Sequence, residues 1–325
     1  MLISVYVPHH AAIEVKTPAY RLFNTANDIL IASGKRPKFK VEYVGLQKSI
    51  KANDGEYSIR IDRHISNVND SDLIIIPALY GDVKHSLKKN SAAIPWLQKM
   101  HRQGSEVASL CIGAFLLAAS GLVDGKKVST HWAYFNEFND LFSNTVVVDG
   151  AIITEACGVY SSGGANSLWN LLFYLLEKYS DRHTAILASK YFAIDLDRNS
   201  QASFAIFNGH KNHTDIEILK AQSYIEKHTD VRITVDQLAD FTKMSRRTFE
   251  RRFLKSTNHS VLEYIQRVKI ETAKRKFESS RKNITEVMFD VGYTDTKSFR
   301  DLFKKHTGVT PLEYRNKYSK ISFNG

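Results

Sequence analysis

Residues 234–253 read Thr234-Val-Asp-Gln-Leu-Ala-Asp-Phe-Thr-Lys-Met-Ser-Arg-Arg-Thr-Phe-Glu-Arg-Arg-Phe253. Residues 283–303 read Asn283-Ile-Thr-Glu-Val-Met-Phe-Asp-Val-Gly-Tyr-Thr-Asp-Thr-Lys-Ser-Phe-Arg-Asp-Leu-Phe303. Each is a short helical stretch, a turn, and a second helical stretch carrying Arg, Lys or Ser. In each second stretch two Phe residues stand four apart, Phe249/Phe253 and Phe299/Phe303, so the rings share one helix face and can lock onto a core. Two helices joined by a turn, with the second basic, is the shape that enters a DNA major groove, and here it occurs twice. Asp230 or Thr234 is placed to cap the first helix of the first copy, and Ser245 the basic one. A longer helix over about 261–278 should join the copies, since Val261, Ile265 and Val268, then Ile270, Ala273 and Phe277, keep helical spacing.

Charge is distributed to match. Residues 211–325 hold 24 Lys and Arg against 15 Asp and Glu, a net +9, whereas residues 1–210 hold 21 against 19, a net +2. The basic excess points to an acidic polymer, double-stranded DNA, as the partner of the C-terminal part alone. A chain of 325 residues with 43% apolar content suits a soluble globular protein of two or more domains. No apolar run approaches the ~20 residues of a membrane span, so no membrane partner is expected. The opening Met1-Leu-Ile-Ser-Val-Tyr-Val-Pro8 lacks a basic region and a cleavage site, and reads as a first strand. The expected compartment is the cytoplasm, with Cys111 and Cys157 reduced, since two cysteines make no disulfide framework. No Cys/His group has zinc-ligand spacing, and neither a metal nor a cofactor is expected.

The first two hundred residues alternate short apolar runs with helical patterns, which predicts an α/β domain. Strands are expected at 2–7, 41–45, 73–77, 107–110, 127–130, 146–148 and 152–154. Helices are expected at 19–33, 94–103, 113–120 and 165–179. Leu73-Ile-Ile-Ile-Pro77 is apolar throughout, as a central parallel strand covered on both faces would be. The polar, turn-rich Asn208-Gly-His-Lys-Asn-His-Thr-Asp215 is read as the boundary between domains 1–210 and 216–325.

From Val291 the chain runs Val291-Gly-Tyr-Thr-Asp-Thr-Lys-Ser-Phe-Arg-Asp-Leu-Phe-Lys-Lys-His-Thr-Gly-Val-Thr-Pro-Leu-Glu-Tyr-Arg315. This follows the signature of AraC/XylS-type DNA-binding domains, which the segment from about 216 to 318 resembles. The resemblance implies an all-α domain with two helix-turn-helix motifs, whose recognition helices lie in successive major-groove segments ~34 Å apart. It implies base contacts from Arg247, Glu250 and Arg251 in the first helix, and from Lys297, Ser298 and Asp301 in the second. Arg247 and Arg251, four apart, point the same way; Arg takes guanine O6 and N7, and Glu250 accepts from cytosine N4. Asp301 stands where a basic residue is expected, so the second motif should read weakly or prefer cytosine. Arg246, Arg252, Lys255, Lys304 and Lys305 are assigned to phosphates, which fix register. Gly308 suits a left-handed cap after the recognition helix, and Pro311 stops that helix continuing.

In the first domain, Ser109-Leu-Cys-Ile-Gly-Ala-Phe leads from a strand through a tight turn carrying Cys111 into a helix. This resembles the nucleophile elbow of the ThiJ/PfpI superfamily, a class I glutamine amidotransferase-like fold. The whole chain resembles regulators that fuse such a domain to an AraC-type reader, and 197–204 fits the end of their first domain. The implied fold is a mostly parallel, flavodoxin-like sheet with helices on both faces. The elbow places a thiol at a helix N-terminus, where thiolate is favoured. Glu14, Cys111 and His131 should meet at the carboxyl ends of the strands, where open α/β sheets bind ligands. With Ile112, Ser161 and Asn166 they form the candidate ligand site.

Three departures argue against catalysis: Ser109 where the elbow pattern has Gly, Ile112 where peptidase-like members have His, and Asn166 where this group has Asp. No base–orienter pair can be assigned. Cys157 has no motif and is expected buried. The expectation is a homodimeric, DNA-binding transcription regulator sensing a small, nitrogen-containing effector. A cysteine-dependent amidase or hydrolase with a DNA-binding tail, and a Cys111 redox sensor, are the alternatives.

Overall fold

The computed structural model describes residues 1–9, 11, 17–52, 56–195 and 200–319. It divides into two compact units, Met1–Gln201 and Ala202–Gly325.

The first unit contains strands β1 (Leu2–Tyr6), β2 (Lys40–Gly45), β3 (Ser49–Ala52), β4 (Tyr57–Arg60), β5 (Arg63–His64), β6 (Leu73–Ile76), β7 (Glu106–Ser109), β8 (Lys127–Val128), β9 (Val146–Val147), β10 (Ile153–Ala156) and β11 (Val159–Ser162). Its helices are α1 (Pro18–Ala32), α2 (Val83–Asn90), α3 (Ile94–Arg102), α4 (Ala114–Ala119), α5 (Phe135–Leu141), α6 (Ser167–Tyr179) and α7 (Arg182–Phe192). Seven strands form one sheet in the order β10-β11-β7-β6-β1-β2-β5, parallel except for the β10–β11 pair. β6 is central and buried throughout. Successive side chains alternate across it: Leu73 and Ile75 pack with α1, α6 and α7, and Ile74 and Ile76 with α3 and α4. One apolar run thus serves two cores, as a doubly covered parallel sheet requires. The runs expected as strands near 127 and 146 pair with each other, outside this sheet.

β10 and β11 are joined by Cys157-Gly158, both left-handed at φ 52° and 73°. That backbone suits a two-residue hairpin turn. The turn leaves Cys157 exposed, not buried as expected.

The second unit is helical: α8 (Ile216–Lys227), α9 (Val235–Phe241), α10 (Arg246–Thr257), α11 (Val261–Ser279), α12 (Ile284–Asp290), α13 (Thr296–Thr307) and α14 (Pro311–Tyr318). The fifty-residue repeat is visible atom by atom. Ser245 and Asp295 cap α10 and α13. Thr257 Oγ donates to the Phe253 and His259 carbonyls, and Thr307 Oγ to those of Phe303 and Val309. Asn258 and Gly308 end the two helices left-handed, at φ 58° and 76°. Phe253 meets Tyr264 edge-on at 5.3 Å between centroids, and Phe303 meets Tyr314 at 5.5 Å. Thr234 caps α9 in a capping box with Gln237. Pro311 opens α14 at its first turn.

The boundary between units lies upstream of the polar segment at 208–215. Residues 205–210 pack on the helical unit: Lys274 Nζ donates to the Ala205 carbonyl, Glu271 accepts from the Phe207 amide, and Gln222 donates to the His210 carbonyl. Polar composition marked a segment that begins inside the helical unit, with its His210 carbonyl held by the buried Gln222.

Candidate functional sites

In the helical unit each motif packs its own Phe pair against its own part of α11. Phe249 and Phe253 join Val261, Ile265 and Val268; Phe299 and Phe303 join Ile270, Ala273 and Phe277. All four rings are fully buried. Burying that face turns the rest of each helix outward, so Arg246, Arg247, Glu250 and Arg251 are exposed on α10, and Lys297, Ser298, Asp301 and Lys304 on α13. The side chains of Arg247 and Arg251 have no partner among the described residues. Two cations one turn apart and unengaged can take a polyanion or a guanine edge without first breaking an ion pair. Arg246 is held differently, 3.2 Å from Asp236 and 3.4 Å from Glu250. Asp301 lies 3.8 Å from its neighbour Arg300.

Arg252, expected at a phosphate, is engaged within the protein. Its guanidinium donates in fork geometry to both carboxylate oxygens of Asp215, at 2.9 and 2.6 Å. Asp215 in turn caps α8 by accepting from the Ile218 amide, so Arg252 ties α10 to the start of α8. The Arg252 hydrogen bond holds the Asp215 carboxyl below the usual carboxylate range.

In the first unit the chain leaves β7, turns at Cys111 and enters α4. Cys111 is held at φ 55°, a left-handed conformation that costs a non-glycine residue about 1–2 kcal/mol. Its amide donates to Ser162 Oγ at 3.2 Å, and its carbonyl accepts from Thr130 Oγ at 3.2 Å. A Cβ on Gly113 would lie 2.4 Å from the Pro77 carbonyl oxygen, so only glycine lets the elbow close onto the end of β6. Cys111 opens onto a cavity of about 430 Å³ at the carboxyl ends of β1, β6 and β7. Val5, Pro18, Ile75, Leu110, Leu168 and Trp169 give it an apolar wall, while Thr17, Cys111 and Asn166 supply polar groups. Burial pushes the Cys111 thiol up to about 11, which overrides the expected helix-terminus effect: at neutral pH it is a thiol, not a thiolate.

Comparison with known proteins follows the same division. Residues 5–162 match the DJ-1/PfpI family, and residues 238–317 match a helix-turn-helix domain. The chain joins a DJ-1/PfpI domain to an AraC-type helix-turn-helix domain. It is 23% identical over 269 residues to the HTH-type transcriptional regulator GbdR of Pseudomonas aeruginosa, covering 82% of this chain and 72% of that one. It is 24% identical over 237 residues to the HTH-type transcriptional regulator GlxA of Rhizobium meliloti, covering 70% of each. A crystal structure of a protein from Vibrio parahaemolyticus superposes with a TM-score of 0.53 at 21% identity, covering 59% of this chain and 98% of that one. That likeness shows the fold.

Within the DJ-1/PfpI domain, only part of the expected cluster meets at the cavity. Cys111 and Asn166 line it. Glu14 lies outside the described residues. Ile112 packs into the core on the α3–α4 side of the sheet. Ser161 is buried in β11, where it accepts from the Ser129 amide at 2.8 Å and meets Thr154 Oγ at 2.5 Å. His131 is not among the lining residues; its ring packs beside Trp132 and Tyr134, and its Nδ1 accepts from the Ala133 amide at 3.1 Å. Burial lowers its pKa, favouring the neutral ring.

Gln201 was missed by sequence reasoning. It is fully buried, accepts from the Gly164 amide at 2.7 Å, and donates to the Thr130 carbonyl at 2.9 Å and the Ala151 carbonyl at 3.0 Å. It therefore pins the loop that carries Ala165 and Asn166 to the cavity. A glutamine in a polar stretch gives no signal that distinguishes this from a solvated side chain. Among the described residues, no cluster of His, Cys, Asp or Glu could hold a metal, and no helix is long and apolar enough to cross a membrane.

Proposed function

We propose that this protein is a sequence-specific transcription regulator, acting in the cytoplasm as a homodimer. Its helical unit binds promoter DNA, and its DJ-1/PfpI unit senses a small molecule. The observation that carries the reading is the duplicated motif: two helices with matching caps and buried Phe pairs, each turning a polar, charge-bearing face outward from a unit of net +9. The regulators GbdR and GlxA share this two-part organisation at 70% or more of this chain, which supports the same role.

The effector proposed for the 430 Å³ cavity is a small organic molecule with an apolar body and one or two hydrogen-bonding groups, met by Thr17 and Asn166. The Trp169 ring offers a surface for an amine-bearing effector. A buried, protonated Cys111 with no histidine among the described lining residues supports ligand binding over nucleophilic catalysis.

Selection of bound sequences from a random duplex library, at near-physiological salt, tests the reading. Enrichment of an asymmetric site with two half-motifs about ten base pairs apart is expected. No enrichment, with binding that fades uniformly as salt rises, would leave only non-specific charge contacts.

A further inference from the structure

Lys269 lies at the middle of α11, where that helix passes from the core of the first motif, ending at Val268, to the core of the second, beginning at Ile270. It is 5% exposed. Its ammonium donates at 2.9 Å to the carbonyl of Val231, in the loop leading into α9, and at 2.9 Å to the carbonyl of Val291, in the turn between α12 and α13. The Tyr293 ring takes a third side of the same cation, 5.4 Å from its centroid. A buried ammonium is costly unless its donors are satisfied, and here the satisfying groups come from the loop leading into the first motif and from the turn of the second.

The backbone of the loop leading into the first motif also meets the turn of the second at this point. Gly292 sits at φ +72°, and a Cβ there would fall 2.6 Å from the Asp230 carbonyl oxygen and 2.7 Å from Lys269 Nζ. Only glycine admits both that conformation and that approach. Each motif packs its own Phe pair on its own segment of α11. Lys269 ties the loop before the first motif to the turn of the second, and Gly292 admits their close approach.

We infer that Lys269, with Gly292, fixes the separation and rotation of the two recognition helices, and thereby sets the number of base pairs between the half-motifs that the protein reads. Lys269 is a positioning residue: buried, it acts through the helices it joins and not by touching DNA. The inference rests on the DNA-reading proposal above and adds a source for its spacing preference.

The test takes the site selected by the full-length wild-type chain and rebuilds it with two base pairs added or removed between the half-motifs. Affinities are measured by fluorescence anisotropy at fixed salt. The wild type should lose at least about tenfold on the altered spacings, because one set of base contacts leaves register. Lys269→Met keeps the stem and removes the donors. It should bind the original site more weakly, and its affinities across the spacing series should lie within about threefold of one another, because the second reader no longer has a fixed place. Lys269→Arg retains donors for both carbonyls and should recover part of the discrimination.

A role confined to folding would lower affinity at every spacing alike and leave the profile unchanged. That profile in Lys269→Met overturns the inference, as does a wild type indifferent to spacing. Should Lys269→Met not fold, Gly292→Ala keeps the lysine but sets a Cβ against both its ammonium and the Asp230 carbonyl, which forces the two segments apart. It should flatten or shift the profile, and an unchanged profile there also overturns the inference. Absence of any selected site would be a separate failure, that of the DNA-reading proposal itself.

Discussion

Arg251 and Arg252 are neighbours on one helix and should behave as opposites. Arg251 is exposed on the face away from Phe249 and Phe253, and its side chain has no partner among the described residues. Arg252 is turned toward α8 and forked onto Asp215. Arg251→Ala should therefore leave the melting temperature nearly unchanged and cost ~1–3 kcal/mol at the selected site, roughly 5- to 150-fold in Kd, with specificity relaxed at one base pair.

Arg252→Ala should do the reverse. The melting temperature falls, while base preference and the slope of affinity against salt stay as in the wild type. A phosphate contact would have reduced that slope by about one. The stability loss should also depend on pH. Arg252 holds the folded Asp215 carboxyl below its unfolded value, so the pair's contribution is present above the unfolded pKa and is lost as pH falls through the folded one. The difference in melting temperature between wild type and Arg252→Ala should accordingly shrink on acidification below about pH 4. Anisotropy titrations at several salt concentrations and thermal melts at several pH values provide both readouts. Equal loss of affinity on random and selected duplexes for Arg251→Ala, or a reduced salt slope with an unchanged melt for Arg252→Ala, would refute the assignment.

Three further outcomes are expected. With Cys157 replaced by Ser, alkylation of Cys111 followed by mass spectrometry should be slow at neutral pH and still accelerating up to pH about 11; a plateau near pH 8.5 would show an activated thiol. Phe303→Ala removes a fully buried ring that packs against Phe277 and Tyr314, and should cost about 3–5 kcal/mol in denaturant unfolding of the helical unit, whereas a loss below about 1 kcal/mol would show that the second core is loosely formed. Ala78→Phe puts a ring into the cavity, so small molecules that raise the wild-type melting temperature should lose that effect while affinity for the selected DNA is kept; retained thermal shifts would place the effector elsewhere.

The parts of the fold legible in the sequence were those where periodicity alone decides. Leu73–Ile76 read as a doubly covered strand, and the Phe pairs as locked helices, because burial there needs only apolar side chains at the right spacing. β11 was missed because its sequence, Val-Tyr-Ser-Ser, is half serine; the serine hydroxyls are buried and take partners that no pattern announces, Ser161 on the Ser129 amide and Ser162 on the Cys111 amide. α2 was missed because Val83–Asn90 carries three lysines and buries only Val83, Ser86 and Asn90. The elbow at Cys111 was visible as a motif. Its cavity was not, since Val5, Thr17, Leu110 and Trp169 come together only when β1, β7, α1 and α6 are in place. Arg252 shows the limit of charge counting: composition counted it among the cations for DNA, and only tertiary structure reveals the carboxylate that occupies it.

Hydroxyl-radical footprinting of the purified chain on its selected duplex tests the central claim most directly. A reader with two rigidly joined motifs should protect the sugar-phosphate backbone flanking two major-groove segments on one face of the DNA, ~34 Å apart, with different sequences beneath α10 and α13. A single protected segment, or diffuse protection that disappears evenly as salt is raised, would contradict it.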